Sequence, residues 1–113
     1  YQWSELTPEL TNLEKIESCS ADEYYNKEVI IEGWVADAYR SQTDTIFLNF
    51  EETYPNQCFV AVIFNSDQDH FVQNPEEYYS NQMVRIKGKI KEYNDKPEII
   101  LKSAEQIERG KEE

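Results

Sequence analysis

Two stretches of the chain alternate apolar and polar positions in the same way. In "YYNKEVIIEGWV", residues 24–35, Val29, Ile31 and Val35 point to one side, Glu28, Glu32 and Trp34 to the other, and Gly33 falls on the apolar side. In "YYSNQMVRIKGKI", residues 78–90, Val84, Ile86 and Ile90 share one side, Arg85, Lys87 and Lys89 the other, and Gly88 again falls on the apolar side. A period of two is the mark of a half-buried strand. A glycine inside a strand costs packing and backbone entropy, so it marks a bend, a bulge or a close approach. Two long strands bending at matching points, Gly33 and Gly88, are what a small closed barrel requires. A solenoid is excluded, because there are only two copies and the segments around them do not match.

The rest of the chain supplies shorter elements. Leu6, Leu10, Leu13 and Ile16 recur at helical spacing with Pro8 near the start, which predicts an N-terminal helical segment, residues 1–23, plugging one end of the domain. In "TIFLNF", residues 45–50, Ile46, Leu48 and Phe50 alternate with Thr45, Phe47 and Asn49. "CFVAVIF", residues 58–64, is apolar on both faces, so either Phe59, Ala61 and Ile63 or Val60, Val62 and Phe64 face the core. Ser66 is placed to cap a short helix over residues 67–72, and Pro75 to open another turn. "YNDK" predicts a tight turn into a strand over residues 98–102, and "SAEQIERGKEE" a brief helix and a charged tail.

The predicted order is strand, strand, strand, helix, strand, strand. This is an all-β fold with short helices: the five-stranded Greek-key barrel called the OB-fold, with a helix between its third and fourth strands. Residues 24–108 form the barrel in this reading, residues 1–23 a helical extension and residues 109–113 a charged tail.

Charge narrows the function classes. The chain of 113 residues carries a formal net charge of −12, which disfavours indiscriminate adhesion to polyanions. Residues 1–84 hold 3 basic and 16 acidic side chains, whereas residues 85–102 hold 6 basic and 3 acidic. Positive charge is therefore local to the second copy of the motif. No apolar run approaches the roughly 20 residues of a membrane span. The chain opens at Tyr1, which leaves cytoplasmic residence or export after removal of a signal or lipoprotein leader equally open. Cys19 and Cys58 form no CxxC pair, and they make a disulfide only if the fold brings their elements together.

The segments "TIFLNF", "YPNQ", "VAVIF", "GKIKEY" and "KPEII", spread over residues 24–108, resemble the OB-fold nucleic-acid-binding domains of the anticodon-binding type, found alone or appended to prokaryotic nucleases and DNA-processing proteins. The resemblance implies a non-catalytic module that binds single-stranded nucleic acid, DNA or RNA, or a protein partner, across the second and third strands and the flanking loops. Around the first loop this chain has "SQTD" where a glycine or lysine is usual, and "EET" follows "FLNF".

Single strands are held by a cationic track together with rings on which bases stack. Trp34, Tyr39, Phe47, Tyr54 and Tyr93 are the candidate rings, and Arg40, Lys87, Lys89, Lys91 and Lys96 the candidate phosphate contacts. Phe47 turns away from the core-facing Ile46 and Leu48, and Asn49 shares its face, where it is placed to read a base edge. Against these readings stand a cover over Phe47 from the N-terminal segment or a second subunit, a lysine stripe that merely blocks edge pairing, and a Lys87 that neutralises Glu28 or Glu32 across a strand pair.

An enzyme finds little support. His70 is the only histidine and has no evident nucleophile or orienting partner. Metal-ligand spacings and phosphate-cradling glycine loops are missing from the sequence, and "DQD", residues 67–69, lacks the rest of a calcium loop. The expectation is a binding module with no cofactor and no metal. Its acidic surface makes protein interaction or self-association the alternative, including a secreted or lipid-anchored accessory role.

Overall fold

The computed structural model describes residues 1–112. Eight strands occur in it: β1 (Lys15–Glu17), β2 (Glu28–Arg40), β3 (Ile46–Phe50), β4 (Phe59–Ile63), β5 (Met83–Lys89), β6 (Lys91–Tyr93), β7 (Lys96–Ile100) and β8 (Ile107–Arg109). The α-helices are single turns, α1 (Pro8–Thr11) and α2 (Pro75–Tyr78).

The two echoing motifs are β2 and β5, and they pair with each other. They run antiparallel in the register Val29↔Gly88, Ile31↔Ile86 and Gly33↔Val84, so each motif's glycine faces the other's first valine about a local two-fold centred on the two isoleucines. Hydrogen bonding follows the order β6-β7-β4-β3-β2-β5-β8, with β1 parallel to β2. Only Ile90 separates β5 from β6, so both ends of the path from β6 to β5 lie on one stretch of chain and the sheet closes on itself. With a helical link between β4 and β5, this is the OB-fold.

The β2–β5 pairing runs through both glycines without a register shift. Both glycines lie at negative φ. The fourth barrel strand breaks at Ile90, whose N–H donates to Lys27 O at 3.0 Å and whose carbonyl accepts from Asn26 N at 2.7 Å. β2 is interrupted by a bulge between Val35 and Asp37. The glycines instead answer to crowding. A Cβ on Gly88 would sit 2.6 Å from Ile99 Cγ2 across the core, and one on Gly33 would sit 2.6 Å from both Ser18 Oγ and Glu51 Oε2. Glu51 occupies that gap to accept from Trp34 N at 3.0 Å and from the Ser18 hydroxyl.

The core lies inside the barrel: Val29, Ile31, Val35, Ile46, Leu48, Phe50, Val84, Ile86, Ile90, Ile99 and Leu101 are buried, and Phe50 meets Phe59 edge to face at 5.0 Å. The parity of β4 is decided in favour of Phe59, Ala61 and Ile63, while Phe64 is exposed. Tyr79, at the end of α2, reaches into this core, and burial pushes its hydroxyl up to about 12.

Local expectations fail where tertiary pairing offers the backbone more. The N-terminal segment keeps one α-helical turn at Pro8 and a 3-10 helix over Ser18–Glu23; Leu10 is exposed, and Ile16 enters the core from the strand β1. The Asn65–His70 turn is a 3-10 helix capped from Phe64 without a side-chain bond, so Ser66 is no cap. The expected strand over 98–102 starts earlier, at Lys96, because Asn94 and Asp95 both take positive φ in a two-residue hairpin. The C-terminal segment is drawn into the sheet, where β8 pairs with β5 and Lys111 bridges to Gln2.

Candidate binding groove

The bulge in β2 creates the site. Val35 pairs with Phe50 on the core side, and one residue later the alternation is reset, so that Asp37 pairs with Asn49 and Tyr39 with Phe47 on the outer face. A strand without the bulge would carry Asp37 into the core beside Val35. Directly paired residues share a face of the sheet. A single row therefore crosses five strands: Asp37, Asn49, Val60, Glu98 and Lys91. Tyr39 and Phe47 lie on one flank of this row, their rings near parallel at 24° with centroids 6.3 Å apart. Tyr93 and Lys96, paired across the hairpin, lie on the other.

The loop between β3 and β4 completes the wall with Tyr54 and Gln57, and the Tyr54–Pro55 peptide bond is cis. Lys96 holds this loop down by donating Nζ to Pro55 O at 3.2 Å and to Gln57 O at 2.7 Å. A disulfide between Cys19 and Cys58, with Cα atoms 5.2 Å apart, ties the far end of the loop to the Ser18–Glu23 turn. The fold thus brings together two cysteines separated by 39 positions. The enclosed groove measures about 600 Å³.

The floor of the groove carries the oxygen-bearing side chains of Asp37, Asn49, Gln57 and Glu98 around the apolar Val60. Asn49, buried, donates Nδ2 to Asp37 Oδ1 at 2.9 Å. Burial pushes the Glu98 carboxyl up, and Lys91 partly offsets this. Tyr39, Tyr54 and Tyr93 are exposed along the rim, whereas Phe47 is half-buried between them and the sheet.

Of the residues singled out in the sequence, Tyr39, Phe47, Asn49, Tyr54, Tyr93 and Lys96 converge here. Lys91 ends the polar row without lining the groove. The remaining candidates lie elsewhere. Trp34 precedes the bulge and pairs with Met83. Arg40 grips Glu76 through two hydrogen bonds, Nε to Oε2 at 2.7 Å and Nη2 to Oε1 at 3.0 Å, and also reaches Gln68 at 2.8 Å and Asp44 at 3.6 Å. It fastens α2 to the barrel, and its hydrogen bonds hold the Glu76 carboxyl below its usual range. Lys87 and Lys89 sit on β5, on the other half of β2, apart from the rings. They make no ion pair among the described residues; the ion pair with Glu32 belongs to Arg85, at 2.9 Å, which also packs under the Trp3 ring. Apart from Lys96, the candidate cations therefore do not line the groove that the rings share.

Sequence reasoning passed over Asp37, Gln57 and Glu98. Asp37 left a trace: strict alternation puts its carboxylate on the core side, a conflict that only a bulge resolves. Gln57 sits in a turn-rich loop and shows no periodic signal at all. His70 Nδ1 lies 3.0 Å from Lys102 O, well outside the groove lining.

Comparison with solved structures agrees with the architecture. The chain is similar to an aspartyl-tRNA synthetase from Entamoeba histolytica, with TM-score 0.62 and 16% identity over 96% of this chain and 24% of that one. It is also similar to the asparaginyl-tRNA synthetase from Pyrococcus horikoshii, with TM-score 0.56 and 20% identity over 86% of this chain and 23% of that one. An OBody bound to hen egg-white lysozyme matches with TM-score 0.62 and 15% identity over 99% of this chain and 100% of that one. The chain thus spans about a quarter of the length of the synthetases. At these identities the likeness is one of fold. No family model and no curated protein sequence matches the chain.

Proposed function

We propose that this domain is a non-catalytic OB-fold module that binds single-stranded nucleic acid weakly, through its bases rather than its phosphates. The observation that carries this reading is the convergence of Tyr39, Phe47, Tyr54 and Tyr93 around one polar row on the outer face of the β2-β3-β4-β7 sheet. Stacking a base on such a ring is worth about 1–3 kcal/mol and needs no particular sequence. The tRNA synthetases among the structural relatives support the choice of ligand class.

Electrostatics set the strength. The one ammonium lining the groove, that of Lys96, is committed to two carbonyls, and Lys87 and Lys89 lie outside it. Few counterions are released on binding, so affinity falls only slightly as salt rises. Two stacked bases, about 2–6 kcal/mol together, correspond to a Kd of about 0.04–30 mM. Anisotropy titration of labelled single-stranded oligonucleotides at low salt tests the reading, and a flat titration into the millimolar range would refute it.

A second reading is favoured by Asp37 and Glu98. Two carboxylates beside aromatic rings suit a basic protein segment, and the OBody bound to lysozyme is a protein-binding member of the same fold. Displacement of oligonucleotide by an arginine-rich peptide, against an acidic one, separates the two.

A further inference from the structure

The groove contains a polar group with nothing to bind. Gln57 is only 5% exposed and lines the groove, yet its Oε1 is buried without a hydrogen-bond partner among the described residues. Such orphaned acceptors are rare in folded proteins, because an unpaired buried oxygen forfeits its bond to water. It is accompanied by further acceptors. Asp37 spends Oδ1 on the Asn49 amide, and its second oxygen makes no hydrogen bond among the described residues; Glu98 lies three strands along on the same row. Lys96, which lines the groove, turns its ammonium to carbonyls of the loop. A ligand seated on the rings thus meets a floor of oxygen acceptors and must bring hydrogen-bond donors to it.

We propose that the groove selects bases that carry an amine at the purine 6-position or the pyrimidine 4-position, adenine and cytosine, over thymine and uracil, which carry a carbonyl at the 4-position. The inference rests on the nucleic-acid reading above and specifies its ligand. Cytosine N4 donates to a carboxylate, and adenine offers an N6 donor beside a ring-nitrogen acceptor, matching the two ends of a glutamine or asparagine amide. Thymine and uracil present a carbonyl oxygen at the corresponding position. Against Asp37 and Gln57 that oxygen leaves acceptor facing acceptor: the carboxylate loses its water without replacement and the glutamine oxygen stays unpaired. Tyr39 and Phe47 stack any of the bases equally and supply affinity without choice. Selection therefore belongs to the floor and grip to the rim.

The test uses the intact domain and four fluorescein-labelled decamers, of deoxycytidine, deoxyadenosine, thymidine and abasic sites, titrated by anisotropy at neutral pH and low salt. The cytidine and adenosine decamers are expected to bind about fivefold or more tightly than the thymidine decamer, as one good edge contact allows, and the abasic decamer least. Equal or reversed affinities for thymidine overturn the selectivity while leaving base stacking intact. An abasic decamer that binds as well as the others, or no binding by any decamer, overturns the nucleic-acid reading of the groove itself.

Two variants locate the readers. Asp37→Asn retains an oxygen for Asn49, and Gln57→Met keeps length and volume; melting each shows that it is folded. Each is expected to narrow the gap between cytidine and thymidine decamers by weakening cytidine binding alone. A gap that survives in full in both variants overturns the assignment to this floor.

Discussion

Asn49 reaches across the β2–β3 pair to donate its amide to Asp37 at 2.9 Å, and that one bond fixes both side chains of the groove floor on the outer face of a bulged strand. Removing the carboxylate leaves the amide of a buried residue unpaired. Asp37→Ala is expected to cost about 1–3 kcal/mol of stability. Urea denaturation followed by far-UV circular dichroism measures it, and an unchanged midpoint would show that water satisfies Asn49.

Phe47 lines the groove and the lysines of β5 do not, which separates two models of binding. Phe47→Ala is expected to weaken oligonucleotide binding by about five- to a hundredfold, the span of one stacked base, while the domain stays folded. Replacing Lys87 and Lys89 together by alanine is expected to leave affinity and its salt slope unchanged. Anisotropy at two salt concentrations decides, and a large effect of the lysine pair would move the site to β5.

The Cys19–Cys58 bond joins the Ser18–Glu23 turn to the loop that carries Tyr54 and Gln57. Closing a loop of this length restricts the unfolded chain, so replacing both cysteines by serine is expected to cost about 2–4 kcal/mol. The loop should also exchange amide hydrogens faster around Gln57. Denaturation with and without reductant, alongside hydrogen exchange, provides the check; identical midpoints would mean that the thiols contribute nothing as a pair.

Glu108 anchors the N-terminal segment from β8. Its carboxylate accepts from Ser4 N at 2.7 Å, Ser4 Oγ at 2.8 Å, Glu5 N at 3.0 Å and Leu6 N at 2.9 Å. Burial alone would push the group up, but these bonds together hold it below its ordinary 4.5. The folded state thus binds the proton less readily than the unfolded chain. The stabilisation is full above that ordinary value and is lost as pH falls through the depressed one. Glu108→Gln is expected to lower stability at neutral pH and to flatten its decline in acid. Thermal melts over that range test it, and a parallel decline in wild type and variant would acquit Glu108.

Much of the architecture was legible in the sequence because it is written in local rules. Alternation at Val29, Ile31, Val84 and Ile86 marked β2 and β5, the Asn94–Asp95 turn marked the hairpin, and the outward set at Phe47 and Asn49 marked the face that carries the groove. Local rules also misled where they had competitors. The helical spacing of Leu6, Leu10, Leu13 and Ile16 gave way to strand pairing of β1 with β2, since a backbone beside an open sheet edge gains hydrogen bonds without having to nucleate a helix.

The chain alone determined that a barrel forms and which face of β3 looks outward, for both follow from side-chain period and turn chemistry over a few residues. Tertiary structure decided what shares the groove. Strand order set the lysines of β5 apart from the rings of β2, β3 and β6, a bulge turned Asp37 outward, and closure brought Cys19 to Cys58 and Gln57 to Glu98. These are relations between segments distant along the chain. Alternation says which way a side chain points, and only register and closure say what it meets there.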